Sequence, residues 1–171
     1  MSASDTATAL LEELGIKSPP VPVERVAKNL GARLVFQPFE GNISGMLYRD
    51  GAQIVIGVNS AHAEVRQRFT IAHEIAHLKL HRGRPMILDH IVRVDFRDDR
   101  SSRATDREEI QANKFAADLL MPASWLGGEI VRRSTIHVED ETLFNELAQT
   151  FGVSRQAIEY RLANLGLSQQ L

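Results

Sequence analysis

The stretch FTIAHEIAHLKLH, residues 69–81, constrains this chain more than any other. Its apolar residues recur at helical spacing, and residues four apart on a helix project from one face. His73 and His77 can therefore present two imidazole nitrogens to one ion. Whatever else the chain builds must bring a third ligand to that face. Glu74 lies about 100° further round the axis at 3.6 residues per turn. That is too displaced for easy ligation but well placed to reach a water held by the ion. The pattern suits metal-assisted peptide hydrolysis: zinc lowers the pKa of its water towards ~7, and Glu74 takes the proton and later passes it to the leaving amine.

Chance is a poor explanation. With 6 histidines and 13 glutamates in 171 residues, shuffling gives HExxH in roughly one or two per cent of sequences. A solvated surface helix could carry the motif without function, but here it sits in an apolar stretch, where His and Glu without partners would be costly to bury. His81 continues the four-residue rhythm, yet it stands about 12 Å from His73 along the axis at 1.5 Å per residue. One zinc with bonds of about 2.0–2.1 Å does not bridge that span. The three-histidine families use a glycine turn, HExxHxxGxxH, to bring the last ligand back. Here Leu80 stands at the glycine position and Gly83 where the third histidine would be. His81 is expected to close the helix or support a ligand from behind.

The chain has no cysteine, so the missing ligand must be a histidine or a carboxylate. EEIQANKFAADLLMP, residues 108–122, is the best source. Glu109 and Asn113 are four apart and share a face, and the small apolar residues of this helix allow close packing against another helix. Glu109 would complete a His-His-Glu set with a fourth position open for water, as catalytic zinc sites require. Asn113 would accept from the distal nitrogen of His73 and fix its tautomer. Glu108 is the competing carboxylate, better used in a capping box with Thr105, and Asp106 at the helix start answers the helix dipole. Such a site takes manganese as well as zinc, and availability decides.

Around these motifs the chain reads as α+β. Asp5–Leu14 forms a short helix, KSPPVP a linker, and Pro22 opens a second helix ended by Gly31. ARLVFQ, GMLYR and QIVIGV read as strands of a small, mainly antiparallel sheet, with Asp50-Gly51 turning the last two as a hairpin. Ser60 caps a long helix reaching about Arg82, and HIVRVDF is a further strand. RDDRSSRATD is expected as an exposed, mobile loop that could cover the cleft. From Ala123 the chain is all helical. The expected division is 1–126 for the chemistry and 127–171 for a C-terminal helical segment.

Net charge is −2 with a pI near 6.3, which argues against bulk electrostatic attachment to DNA or membrane. MSASDTATALLEELG lacks a basic start and a long apolar run, so no secretory signal is read. No stretch approaches the ~18 apolar residues of a membrane span. A soluble, cytoplasmic protein without membrane association is expected.

RQRFTIAHEIAHLKLH followed by EIQANKFAADLLMP, with the lead-in ISGMLYRDGAQIVIGVN, closely resembles the ImmA/IrrE family of metallopeptidases. The resemblance runs from about Val21 to Leu126. It implies a zincin-type fold related to thermolysin-like peptidases, with the small sheet lying over the active-site helix. By similarity His73, His77 and Glu109 would hold zinc and Glu74 would be the catalytic base. Members typically cut a transcriptional repressor carrying a helix-turn-helix, in mobile elements or stress responses. The implied partner here is therefore a protein substrate of that kind.

LAQTFGVSRQAIEYRLANLGL, residues 147–167, has the spacing of a helix-turn-helix: Ala148, Gly152, then Ile158, with Ser154 capping the second helix. Family members often end in a similar segment. In a DNA reader Arg155 and Gln156 would reach base edges. Residues 154–165 carry two arginines against one glutamate, a thin footprint for phosphate. Packing or substrate docking is the preferred expectation over direct DNA binding. For the donor to a developing oxyanion, Tyr48, His90, Arg93, His137 and Tyr160 are all eligible and no spacing selects one. Oligomeric state is not legible.

Overall fold

The computed structural model of the chain describes residues 2–51, 53–81, 85–90, 105–134 and 140–167. Ser2 starts helix α1 (Ala3–Glu13): its hydroxyl accepts from the Asp5 amide while the Asp5 carboxylate accepts from the Ser2 amide, a reciprocal cap of two otherwise orphaned donors. The helix thus begins two residues earlier than periodicity suggested. Helix α2 (Val23–Asn29) follows, with Pro22 at its N-cap and Val23, Val26 and Ala27 buried. Gly31 ends it at φ +78°, a backbone state in which a Cβ is unfavourable.

Three strands come next, β1 (Ala32–Gln37), β2 (Ile43–Asp50) and β3 (Gln53–Asn59). Asp50 pairs with Gln53, so β2 and β3 form the expected tight hairpin, with Gly51 at φ +46°. The fourth strand, β4 (Met86–His90), lies against β2, giving the order β1-β3-β2-β4. β2 runs antiparallel to both β3 and β4, while β1 and β3 are parallel. The sheet is therefore mixed and mainly antiparallel. The fourth strand starts four residues before HIVRVDF; residues 91–96 of that run, and the polar segment up to residue 104, lie outside the described residues.

Helix α3 (Glu64–Leu80) carries the histidines. Ser60 is not its cap. Ala63 occupies the N-cap position without a side-chain bond, and the preceding turn is closed by Asn59, whose Oδ1 accepts from the Ala61 amide. β2 lies along this helix and registers against it: Ser44 meets Arg66, Gly45 faces Thr70 and Glu74, and the Arg49 guanidinium donates to the carbonyls of His77 and His81 at the helix end. The His77 carbonyl also accepts from the His81 amide, the His81 carbonyl lies past the last helical turn, and the cation answers the dipole there.

The rest is helical: α4 (Thr105–Leu120), α5 (Ala123–Ser134), α6 (Asp140–Phe151) and α7 (Arg155–Asn164). α4 takes in Thr105 itself, whose side chain, like that of Asp106, lies outside the description. α4 packs against both α1 and α3. Its Ala112, Phe115, Ala116 and Leu119 enter a hydrophobic cluster that also holds Ile71, Ile75, Leu47 and Ile56, and extends to Leu147, Phe151, Ile158 and Leu162 of the C-terminal helices. Leu126, where the two parts of the chain were expected to meet, lies inside α5 and is buried. Among the described residues no helix is long and apolar enough to cross a membrane.

Candidate metal centre

Helical spacing stacks His73 and His77 on the buried side of α3, each about 1% exposed, with their Nε2 atoms 2.9 Å apart. α4 brings Glu109 across. One carboxylate oxygen lies 3.1 Å from His73 Nε2 and the other 3.3 Å from His77 Nε2. Among the described residues this trio is the group of three or more His, Asp or Glu side chains whose ligand atoms converge, and Glu108 is not part of it.

The donor set fits a divalent cation. Four ligands at 2.0–2.1 Å around a tetrahedral ion stand about 3.3 Å from one another, so the observed separations need to open by only a few tenths of an ångström. Asn113 supplies a second check: its Oδ1 lies 2.9 Å from His73 Nδ1. An amide oxygen only accepts, so the neutral imidazole carries its proton on Nδ1 and keeps a lone pair on Nε2. That lone pair and the Glu109 carboxylate point at the same space, an arrangement that a cation stabilises. Burial raises the pKa of the Glu109 carboxyl, but where no cation is bound and the imidazoles are protonated, hydrogen bonding and charge from His73 and His77 outweigh it and hold the group well below the usual carboxylate range. A bound cation acts with the same sign.

Glu74 sits next to His73 on α3 and is fully buried. Gly45 on β2 makes room for it: a Cβ added there would stand 2.5 Å from Glu74 Oε1 and closer still to Thr70 Cγ2. No real Cβ approaches so closely, so Gly45→Ala must displace the carboxylate or the threonine. The expected result is a protein that still binds metal yet cleaves at least about 10-fold more slowly, with a stability loss of about 1–3 kcal/mol from overpacking. Metal content, melting temperature and cleavage rate measured together would check this; an unchanged rate would mean the glycine is incidental. Sequence spacing gave no hint of Gly45, because the relevant contact joins a strand to a helix 29 residues on.

His81 is the C-cap residue of α3 and only 9% exposed. Burial pushes its imidazole below the ordinary value, with His77 acting in the same direction and Gln111, Glu108 and Glu109 opposing. Of the candidates for oxyanion donor, the exposed Tyr48 hydroxyl reaches Asp50 Oδ2 at 3.4 Å. Tyr160 lines a cavity with Lys114, Asp118 and Arg161 whose lining includes none of the three converging residues. Arg93, His137 and the side chain of His90 lie outside the described residues.

The sequence profile of the peptidase M78, IrrE N-terminal-like domain matches residues 27–163. The chain belongs to this family of metallopeptidases. No curated protein matches it. Among solved structures, a Mycobacterium tuberculosis transcriptional regulator is similar in fold, with a TM-score of 0.61 at 21% identity over 94% of this chain. The chain spans only 46% of that protein's length. The resemblance read from the two helical motifs thus holds at the level of family, and the α+β architecture with its helical C-terminal part is the fold of these proteins.

Proposed function

We propose that the chain is a zinc-dependent, site-specific endopeptidase whose substrate is a helix-turn-helix transcriptional repressor. The observation that carries the reading is the convergence of two buried imidazole nitrogens and one carboxylate within 3.3 Å of one another. In this reading His73, His77 and Glu109 hold the ion, with manganese an acceptable substitute, and Asn113 orients His73. The ion, when bound, acidifies water and polarises the scissile carbonyl. Glu74 accepts the proton from the attacking water and returns it to the departing amine. Its burial beside Gly45 excludes bulk solvent from the back of the carboxylate and restricts its rotamers. Residues 1–126 carry the chemistry, and 127–171 serve packing or substrate docking, in a cytoplasmic protein.

Direct duplex binding through α7 is the weaker reading. Ser154 does cap the helix, accepting from the Ala157 amide, but Arg161 is buried against Asp118 and Arg155 pairs with Glu159. Little unpaired positive charge is left for phosphate. The test is incubation of the zinc-loaded chain with helix-turn-helix repressors from the same cell, with fragments read by mass spectrometry. Discrete cleavage of one repressor, abolished by chelation, is expected. A tight complex that leaves every repressor intact would replace the peptidase reading with a binding module.

A further inference from the structure

His77 needs its own answer to the question Asn113 settles for His73: what holds its proton on the distal nitrogen? Behind it, His77 Nδ1 lies 3.0 Å from His81 Nδ1, and His81 Nε2 lies 3.0 Å from Gln111 Oε1. The chain has a direction. The Gln111 oxygen only accepts, so His81 Nε2 donates to it. A neutral His81 then has its lone pair on Nδ1, and His77 Nδ1–H donates into it. This leaves the lone pair of His77 on Nε2, the atom 2.9 Å from His73 Nε2 and 3.3 Å from Glu109. The reverse direction would place a proton on that atom and remove it as a ligand.

We propose that His81 and Gln111 are positioning residues that, through a directional hydrogen-bond chain, lock His77 in the tautomer and orientation that ligates the metal. The inference rests on the metal reading above. It gives α4 a second contribution besides Glu109 itself: Asn113 and Gln111, on either side of Ala112, reach the outer nitrogens of the two histidine arms, one directly and one through His81. It also explains a histidine at the end of α3 that is too far along the helix to be a ligand. A buried imidazole there satisfies two polar partners at once, which Leu or Phe at the same position would leave unpaired.

The experiment is zinc affinity of the full chain, by competition with a chromophoric chelator at fixed pH, alongside melting of the metal-free proteins. His81→Leu is expected to raise the zinc dissociation constant about 10–100-fold. His81→Asn, whose Oδ1 falls near the former Nδ1 and can accept from His77, is expected to recover most of the loss. Gln111→Ala, at an exposed position that folding tolerates, should weaken zinc by a smaller, measurable factor. A His81→Leu protein within twofold of wild type would overturn the inference, as would His81→Asn binding as weakly as His81→Leu. If His81→Leu does not fold, an unchanged Gln111→Ala affinity overturns it instead. Absence of zinc binding by the wild type would sink the metal reading, and this inference with it; tight wild-type binding with silent variants would sink this inference alone.

Discussion

A Glu74→Gln protein is expected to keep its metal and to lose about 10²–10⁴-fold in cleavage rate, the usual worth of a positioned general base. The amide occupies the same space, so the pocket formed with Thr70 and Gly45 is preserved. It accepts no proton at working pH, so water attack goes unassisted. Because Glu74 lies a quarter-turn from the ligand face, the variant should still bind metal at the wild-type ratio. Elemental analysis beside the rate of fragment formation separates the two effects. Cleavage at the wild-type rate would remove Glu74 from the chemistry. Loss of metal together with cleavage would make it part of the ion-binding set instead. Gly45→Ala should resemble a weaker form of the same lesion, since it moves the carboxylate rather than neutralising it.

What could be read from the sequence follows the range of the interactions involved. The four-residue rhythm of His73 and His77 is a local property of one helix, and it survives folding unchanged. The hairpin at Asp50-Gly51 and the Ser154 cap are equally local. Boundaries governed by competing local bonds were harder. Ser60 has the chemistry of a cap, but Asn59 closes that turn and delays the helix to Glu64. The sheet order was not legible, because pairing β1 with β3 in parallel depends on where α2 and α3 pack, which no spacing in the strands encodes. Glu109 was singled out by its pairing with HEIAH, by Asn113 one turn on, and by the family resemblance of its helix. Gly45 and the acceptor role of Gln111 lay beyond reach, each depending on an approach between separate elements.

The C-terminal hairpin shows why a motif alone decides little. Its spacing is that of a helix-turn-helix, yet among the described residues two of the polar contacts that tie it to the body are made by arginines. Arg68 of α3 donates to the carbonyl of Gly152 in the hairpin turn and to that of Val21. Gly152, at φ +63°, has no room for a Cβ against that guanidinium. Arg161 of α7 bonds the Met121 carbonyl and pairs with Asp118 at 2.6 Å, both groups buried. Breaking such a pair from one side typically costs about 3–5 kcal/mol. The hairpin is thereby fastened to α3 and to α4, the two helices that carry the converging residues. These contacts tie the hairpin to the spacing of α3 and α4.

That spacing is what a Glu109→Ala protein tests. Removing the carboxylate leaves two imidazoles on one helix, and the zinc content is expected to fall from about one per chain to a small fraction of that. The loss should exceed the 10–100-fold that outer hydrogen-bond partners contribute. Glu108→Ala, one residue away on α4, should retain its zinc, because Glu108 does not join the converging group. Glu109→Gln sharpens the comparison: it keeps the shape and one acceptor oxygen but removes the charge that His73 and His77 favour so strongly. If charge is the main contribution, Gln should resemble Ala; if geometry is, Gln should lie nearer to wild type. Metal untouched by all three changes would mean that the third ligand comes from another part of the chain, and that Glu109 answers protonated histidines rather than an ion.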